Sequence, residues 1–344
     1  MNFEQSLAHF IPQIEAEMRC LMATPAGAPP PFYGMLHYHL GWVDESFQPI
    51  TVSSGKLLRP VFTLLCCQAA GGQPEKALTA AAAVELIHNF SLIHDDIEDN
   101  SRTRRGRTTV WAIWGEPQAI NAGDALFVLA RHALLKLQEQ GVPYPTIFEA
   151  IKRLDQTCLA LCQGQYLDMS FERTLAVDLR AYLEMIQGKT AALLACSGYL
   201  GGLIATDNPA RAELFWQLGG ALGLAFQIHD DLLGIWGEEA VTGKPSADDL
   251  RRRKKSLPVV FALSPTNQSQ AARFKELYAA STLTESDVSE AIAILEATGA
   301  KSYTEALARQ YVEAAKSALQ ATEAPPENRR SLEEMAHYLI ERVK

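Results

Sequence analysis

Residues 81–100 read AAAVELIHNFSLIHDDIEDN. Ala, Ile, Leu and Phe surround the acids, so the stretch predicts a buried apolar helix rather than a solvated acidic face. Asp95, Asp96, Glu98 and Asp99 fall at its C-terminal end. That is the unfavourable end for negative charge, because the helix dipole is itself negative there. The same conflict recurs at 219–237, GGALGLAFQIHDDLLGIWG, where Asp230 and Asp231 lie near the end of a second apolar helix. A multivalent cation would offset the cost in both places.

Outward from these two stretches, period-3.6 patterns rich in Ala and Leu fill the chain, and strand signals are nearly absent. Breakers such as GGQP at 71–74, GVPYP at 141–145, TDNP at 206–209 and APPEN at 324–328 divide it into about ten helical segments. None is long enough for a linker, and no solenoid period is visible. The expectation is one all-α domain over residues 1–344. A net charge of -9 speaks against nucleic acid as a partner, since such binding needs surplus Lys and Arg. The six cysteines form no C-x-x-C pair and read as reduced core thiols. The N-terminal MNFEQSLAHFIPQIEAEM has acids and no basic run, so it reads as an amphipathic helix rather than a signal peptide. No stretch reaches the length of a membrane span. A cytoplasmic location is expected.

On a helix, Asp95 and Asp99 are one turn apart and share a face, while Asp96 points to the adjacent one. Carboxylates without soft ligands suit Mg2+, which binds through a few carboxylates, water and substrate phosphates. Asp230 and Asp231 would close the cage. In SSGKLLRP at 53–60, Pro60 is tolerated only in a first helical turn. Lys56 and Arg59, three apart, are therefore expected on one face at a helix N-terminus, where anions bind. His88 lies two turns before Asp95 on the same face. Arg104 and Arg105 follow in a loop, Lys189 interrupts an apolar helix, and Lys244 and Lys254 follow the second acidic stretch. Taken singly, each has an ordinary alternative: a solvated patch, a core histidine, a surface loop. Together, a metal cage, two sets of basic groups and a greasy surround describe prenyl diphosphates.

The blocks GKLLRP, ELIHNFSLIHDDIEDNS, RRGRTT, NAGDAL, GQYLDMSFE, GKTAALLA, FQIHDDLLGIWG, TGKPSADDL and KKSLP stand in the order of the trans-isoprenyl diphosphate synthase, or polyprenyl synthetase, family, which the chain resembles from about 53 to 262. The resemblance implies an isoprenoid synthase-type helical bundle around a deep central cavity, assembled as a homodimer. It implies head-to-tail condensation of isopentenyl diphosphate with an allylic diphosphate: dimethylallyl, geranyl or farnesyl. Asp95, Asp99 and Asp230 would bind three Mg2+, with Mn2+ as the alternative ion. Asp96 and Asp231 would support them. Arg104, Lys189 and Lys244 would hold the allylic diphosphate, with Lys254 beside the second motif. Lys56, Arg59, His88 and Arg105 would hold isopentenyl diphosphate. Thr190 and Gln227 would line the carbocation.

There are departures from the family pattern. Gly234 stands where a fifth-position Asp often sits, Thr108 where Pro is usual, and Arg253 where Gly often precedes the lysine. Product length is expected to be set by Phe90, five residues upstream of Asp95, and by Ser91, which lies one helical turn below it. Apart from the family, Phe90 reads equally well as ordinary core; the resemblance implies that a bulky residue at position 90 blocks long products, which points to geranylgeranyl diphosphate, with farnesyl or longer products as the alternative. A class I terpene cyclase would share the cage but has no need of the group Lys56, Arg59, His88 and Arg105.

Overall fold

The computed structural model describes residues 2–50, 52, 55–172, 174, 177–238, 246–264, 268–280 and 282–340. Among them are sixteen α-helices and one two-stranded ribbon, so the all-α expectation holds. The helices that place functional residues are α1 (Phe3–Leu21), α2 (Pro30–His39), α3 (Leu58–Ala69), α4 (Leu78–Glu98), α5 (Val110–Trp114), α6 (Glu116–Leu135), α7 (Tyr144–Glu172), α8 (Leu179–Ile186), α9 (Ala192–Thr206) and α10 (Pro209–Trp236). Further helices run over Asp248–Arg251, Leu257–Ala262, Gln268–Ala279, Glu285–Ala297, Ala300–Ala321 and Pro326–Ile340. There are more than the ten expected because short polar or glycine breaks, such as Gly115 between α5 and α6, divide what apolar periodicity alone reads as continuous. Among the described residues no helix is long and apolar enough to cross a membrane.

Contacts divide the chain into two compact units. One comprises residues 1–158, 196–215 and 324–332; the other comprises 159–195, 216–323 and 333–344. In the first unit α4 is the central element, packed against α1, α3 and α6. Its run Ala80–Ala83 is fully buried, and small side chains there let the neighbouring helices approach closely. α6 answers with Ala119, Ala122, Gly123 and Ala130 on its buried face.

The end of α4 is defined by hydrogen bonding. Asn100 adopts a left-handed conformation, its amide donates to the Ile97 carbonyl, and the Ser101 amide donates to the Asp96 carbonyl. This is a Schellman motif, which satisfies carbonyls the helix would otherwise leave open. It fixes the acidic end of α4 against the chain that follows.

In the second unit, one apolar cluster gathers Phe171, Tyr182, Ile186, Ile228, Leu257 and Val260. Another gathers Ile235, Leu250, Val259, Phe274 and Leu295. α8 begins at Asp178, whose carboxylate accepts from the Arg180 amide as an N-cap.

Candidate active site

In the first unit, the acids of α4 separate by burial. Asp96 is buried, Asp95 is half-buried and Asp99 is exposed. Asp96 Oδ1 accepts from both Nε and Nη2 of Arg104 at 2.9 Å. Burial pushes the Asp96 carboxyl up to about 6, against the pull of Arg104. The arginines do not sit in an irregular loop, as expected, but on a β-hairpin of β1 (Thr103–Arg104) and β2 (Arg107–Thr108). Arg105 and Gly106 are its two turn residues and both have positive φ, the pattern of a type I′ turn. The turn brings Arg105 against Gly55, where a Cβ would fall 2.8 Å from Nη2.

The expectation for Lys56 needs correction. α3 begins at Leu58, and Leu57 before it is left-handed, so Lys56 precedes the helix and shares no helical face with Arg59. Arg59 lies in the first turn as expected, and its Nη1 reaches His88 Nε2 at 3.4 Å. Burial, with Arg59 and Arg105 nearby, holds the His88 imidazole well below its usual value, which leaves Nε2 free to accept.

Sequence reasoning missed Glu85 and Asn89, one helical turn apart beneath these cations. Asn89 Nδ2 donates to Glu85 Oε1 at 2.9 Å, and burial pushes the Glu85 carboxyl from 4.5 up to about 7, against Arg59. The value is raised on folding, so ionising Glu85 is penalised in the folded state only. Stability is therefore lost as pH rises from 4.5 through about 7. Glu85→Gln is expected to melt above wild type at pH 8, by up to about 3 kcal/mol, with the difference fading toward pH 4.5. A pH-independent difference in melting temperature would contradict this account.

Phe90 is half-buried, with its ring centroid 4.9 Å from His94 and 5.5 Å from Phe127 of α6. The Ser91 hydroxyl donates to the His88 carbonyl at 2.8 Å.

In the second unit, Asp230 is exposed and Asp231 is fully buried. Asp231 accepts from the Tyr182 hydroxyl, from the Leu257 amide at 2.8 Å and from Gln227 Nε2 at 3.2 Å. Lys254 Nζ lies 3.6 Å from its Oδ1. Burial holds the Asp231 carboxyl above the usual range, against Lys254. The Thr190 hydroxyl donates to Gln227 Oε1 at 2.8 Å, so the two predicted carbocation-lining residues do meet. Lys189 sits in a π-helical turn, Gln187–Ala191, and is ion-paired to Asp168 of α7. The close approach requires Gly164, because a Cβ there would lie 2.8 Å from Lys189 Cα. Lys244 lies outside the described residues.

Both Asp-Asp pairs thus split alike. One carboxylate, Asp96 or Asp231, turns inward and fixes a cation, while Asp95, Asp99 or Asp230 keeps surface open to solvent. The outward carboxylates offer hard oxygens. Among the described residues no three His, Cys, Asp or Glu side chains are grouped to hold a metal by themselves. This donor set fits Mg2+, which completes its shell with phosphate oxygens and water and rarely uses an all-protein cage.

Residues 41–295 match the family model described as polyprenyl synthetase. A geranylgeranyl diphosphate synthase of Mycobacterium tuberculosis is 42% identical over 290 residues, 84% of this chain and 81% of that protein. A (2E,6E)-farnesyl diphosphate synthase of Mycobacterium bovis is 37% identical over 311 residues, 90% of this chain and 85% of that protein. The crystal structure of a polyprenyl synthetase from Streptomyces coelicolor A3(2) superposes with a TM-score of 0.87 at 35% identity, covering 98% of each chain. With the motifs, the helical fold and these relatives in agreement, the chain belongs to the polyprenyl synthetase family.

Proposed function

We propose that this prenyl diphosphate synthase joins isopentenyl diphosphate head-to-tail to an allylic diphosphate in the presence of Mg2+, and that its main product is geranylgeranyl diphosphate. The observation that carries the reading is the split of both Asp-Asp pairs, an open carboxylate beside a buried one that holds a cation. Asp95, Asp99 and Asp230 are the proposed Mg2+ ligands. When bound, Mg2+ supplies positive charge to the leaving diphosphate, which favours ionisation of the allylic C–O bond.

This chain's own residues do the rest. Arg104 and Lys189, with Lys244 and Lys254, bind the allylic diphosphate and balance its charge. Lys56, Arg59 and Arg105 orient isopentenyl diphosphate, and His88 fixes Arg59. Holding the two substrates in attacking order removes most of the entropic cost of a bimolecular step. Thr190 Oγ1 and Gln227 present oxygen dipoles toward developing positive charge, and the buried Asp231 fixes Gln227. The released pyrophosphate takes the final proton.

The test supplies isopentenyl diphosphate and Mg2+ with dimethylallyl, geranyl or farnesyl diphosphate and measures product length. No product from any starter overturns the reading. Geranylgeranyl diphosphate alone yielding a hydrocarbon would favour a terpene cyclase.

We further propose a homodimer. In the first unit, Ile120, Val128 and Leu135 line one face of α6, and Tyr144 and Phe148 lie on one face of α7; all are exposed. The Arg131–Asp155 ion pair, 3.0 Å, ties α6 to α7 within this surface. Phe148, 71% exposed, is expected to be dispensable for folding but not for pairing. Phe148→Glu should halve the mass measured by light scattering; an unchanged mass would count against this face.

A further inference from the structure

The second acidic motif runs Asp230-Asp231-Leu232-Leu233-Gly234, whereas the first runs Asp95-Asp96-Ile97-Glu98-Asp99. The spacing of the first motif would require a carboxylate at position 234. In the structure that place is filled from elsewhere in the chain. The Asp249 carboxylate, from the helix Asp248–Arg251, lies against Gly234. A Cβ built on Gly234 would fall 2.5 Å from Asp249 Cγ and 3.1 Å from Oδ1. Asp249 is 8% exposed, too deep to be a solvated surface acid.

Its cation is Lys254. Lys254 Nζ lies 3.7 Å from Asp249 Oδ2 and 3.6 Å from Asp231 Oδ1, so the ammonium bridges the motif and the incoming carboxylate. The backbone holds the arrangement. The Lys254 amide donates to the Asp249 carbonyl at 2.9 Å and the Arg253 amide to the Leu250 carbonyl, a second Schellman closure. Arg253 takes the left-handed position in it, which explains why Gly suits that place in relatives of this pattern. Ala247 on the other side is left-handed too. Two non-glycine residues in this conformation within seven positions cost roughly 1 kcal/mol or more each. They persist because the intervening turn is held in place from both ends.

We propose that Asp249 is the missing fifth carboxylate of the second acidic motif, delivered through space, and that it acts as a positioning residue for Lys254. The inference rests on the reading of Lys254 as a ligand of the allylic diphosphate. Gly234 is the counterpart of this transfer: the sequence leaves room on α10 for a carboxylate supplied by another helix.

The experiment compares wild type with Asp249→Asn, Asp249→Gly, Gly234→Asp and the double variant Gly234→Asp/Asp249→Gly. It reads calorimetric binding of inorganic pyrophosphate with Mg2+, KM for the allylic diphosphate, kcat, and melting temperature. Asp249→Asn keeps the shape and removes the charge, so it is expected to weaken pyrophosphate binding and raise the allylic KM by roughly tenfold, with little change in melting temperature. Gly234→Asp places a second carboxylate on the first and should lose both stability and binding. The double variant returns one carboxylate to the place and should bind within about threefold of wild type, well above Asp249→Gly alone. Two results overturn the inference: Asp249→Asn matching wild type in binding and KM, or a double variant no better than Asp249→Gly. Wild-type turnover is read separately. Wild type that binds pyrophosphate, with the rescue intact but no prenyl product, overturns the proposed reaction and leaves the role of Asp249 standing. Wild type that binds no pyrophosphate overturns both.

Discussion

Asp99→Ala is expected to lower kcat/KM for prenyl transfer on the order of 10³-fold without lowering the melting temperature. Positive charge brought to a leaving diphosphate is worth several kcal/mol, and each 1.36 kcal/mol is tenfold in rate. Stability should hold or rise slightly. Asp99 is exposed and caps the C-terminal end of α4, where the helix dipole disfavours an acid, and Asp95 is one turn away. Removing one of the two like charges relieves both. A variant whose kcat/KM stays within tenfold of wild type, measured with saturating Mg2+, would remove Asp99 from the proposed ligand set.

The second large effect concerns product size. Phe90→Ala should move the dominant product beyond twenty carbons, by at least one five-carbon unit. The Phe90 ring is in edge contact with His94 and packs at a tilt against Phe127, so truncation opens space between α4 and α6 below the acidic end of α4. Some stability will be lost, less than the roughly 3–5 kcal/mol of a fully buried Phe, because the side chain is only half-buried. Mass analysis of extracted products decides it: an unchanged profile, in an enzyme that still turns over, assigns Phe90 to the core alone.

Much of the fold was legible because burial writes itself into composition. A helix that carries Ala80–Ala83, Val84, Leu86 and Ile87 has no solvent face, so α4 could be recognised as central from its letters. The acids at its end were legible as a conflict between charge and apolar surroundings. What could not be read was which member of each Asp-Asp pair turns inward, because that depends on partners from distant segments. Tyr182 and the Leu257 amide hold Asp231 from 49 and 26 residues away, and nothing in the spacing near 231 announces either.

Backbone chirality hid more. Leu57, Arg105 and Arg253 adopt left-handed conformations that side chains usually avoid. Reading by propensity therefore extended a helix back to Lys56 and left the arginine hairpin as a loop. Asp168 and Asp249 lay within quoted family blocks, yet their roles became visible only once α7 met Lys189 and the Asp248–Arg251 turn met Gly234.

The inward and outward carboxylates matter to the fold differently. Losing Asp96 or Asp231 strips a buried partner from the fold, whereas losing Asp99 or Asp230 removes an exposed group. A duplicated copy of this gene could therefore shed its chemistry by drift while still folding and still presenting the apolar faces of α6 and α7. The architecture carries within it a short route from an enzyme to an inert companion of one.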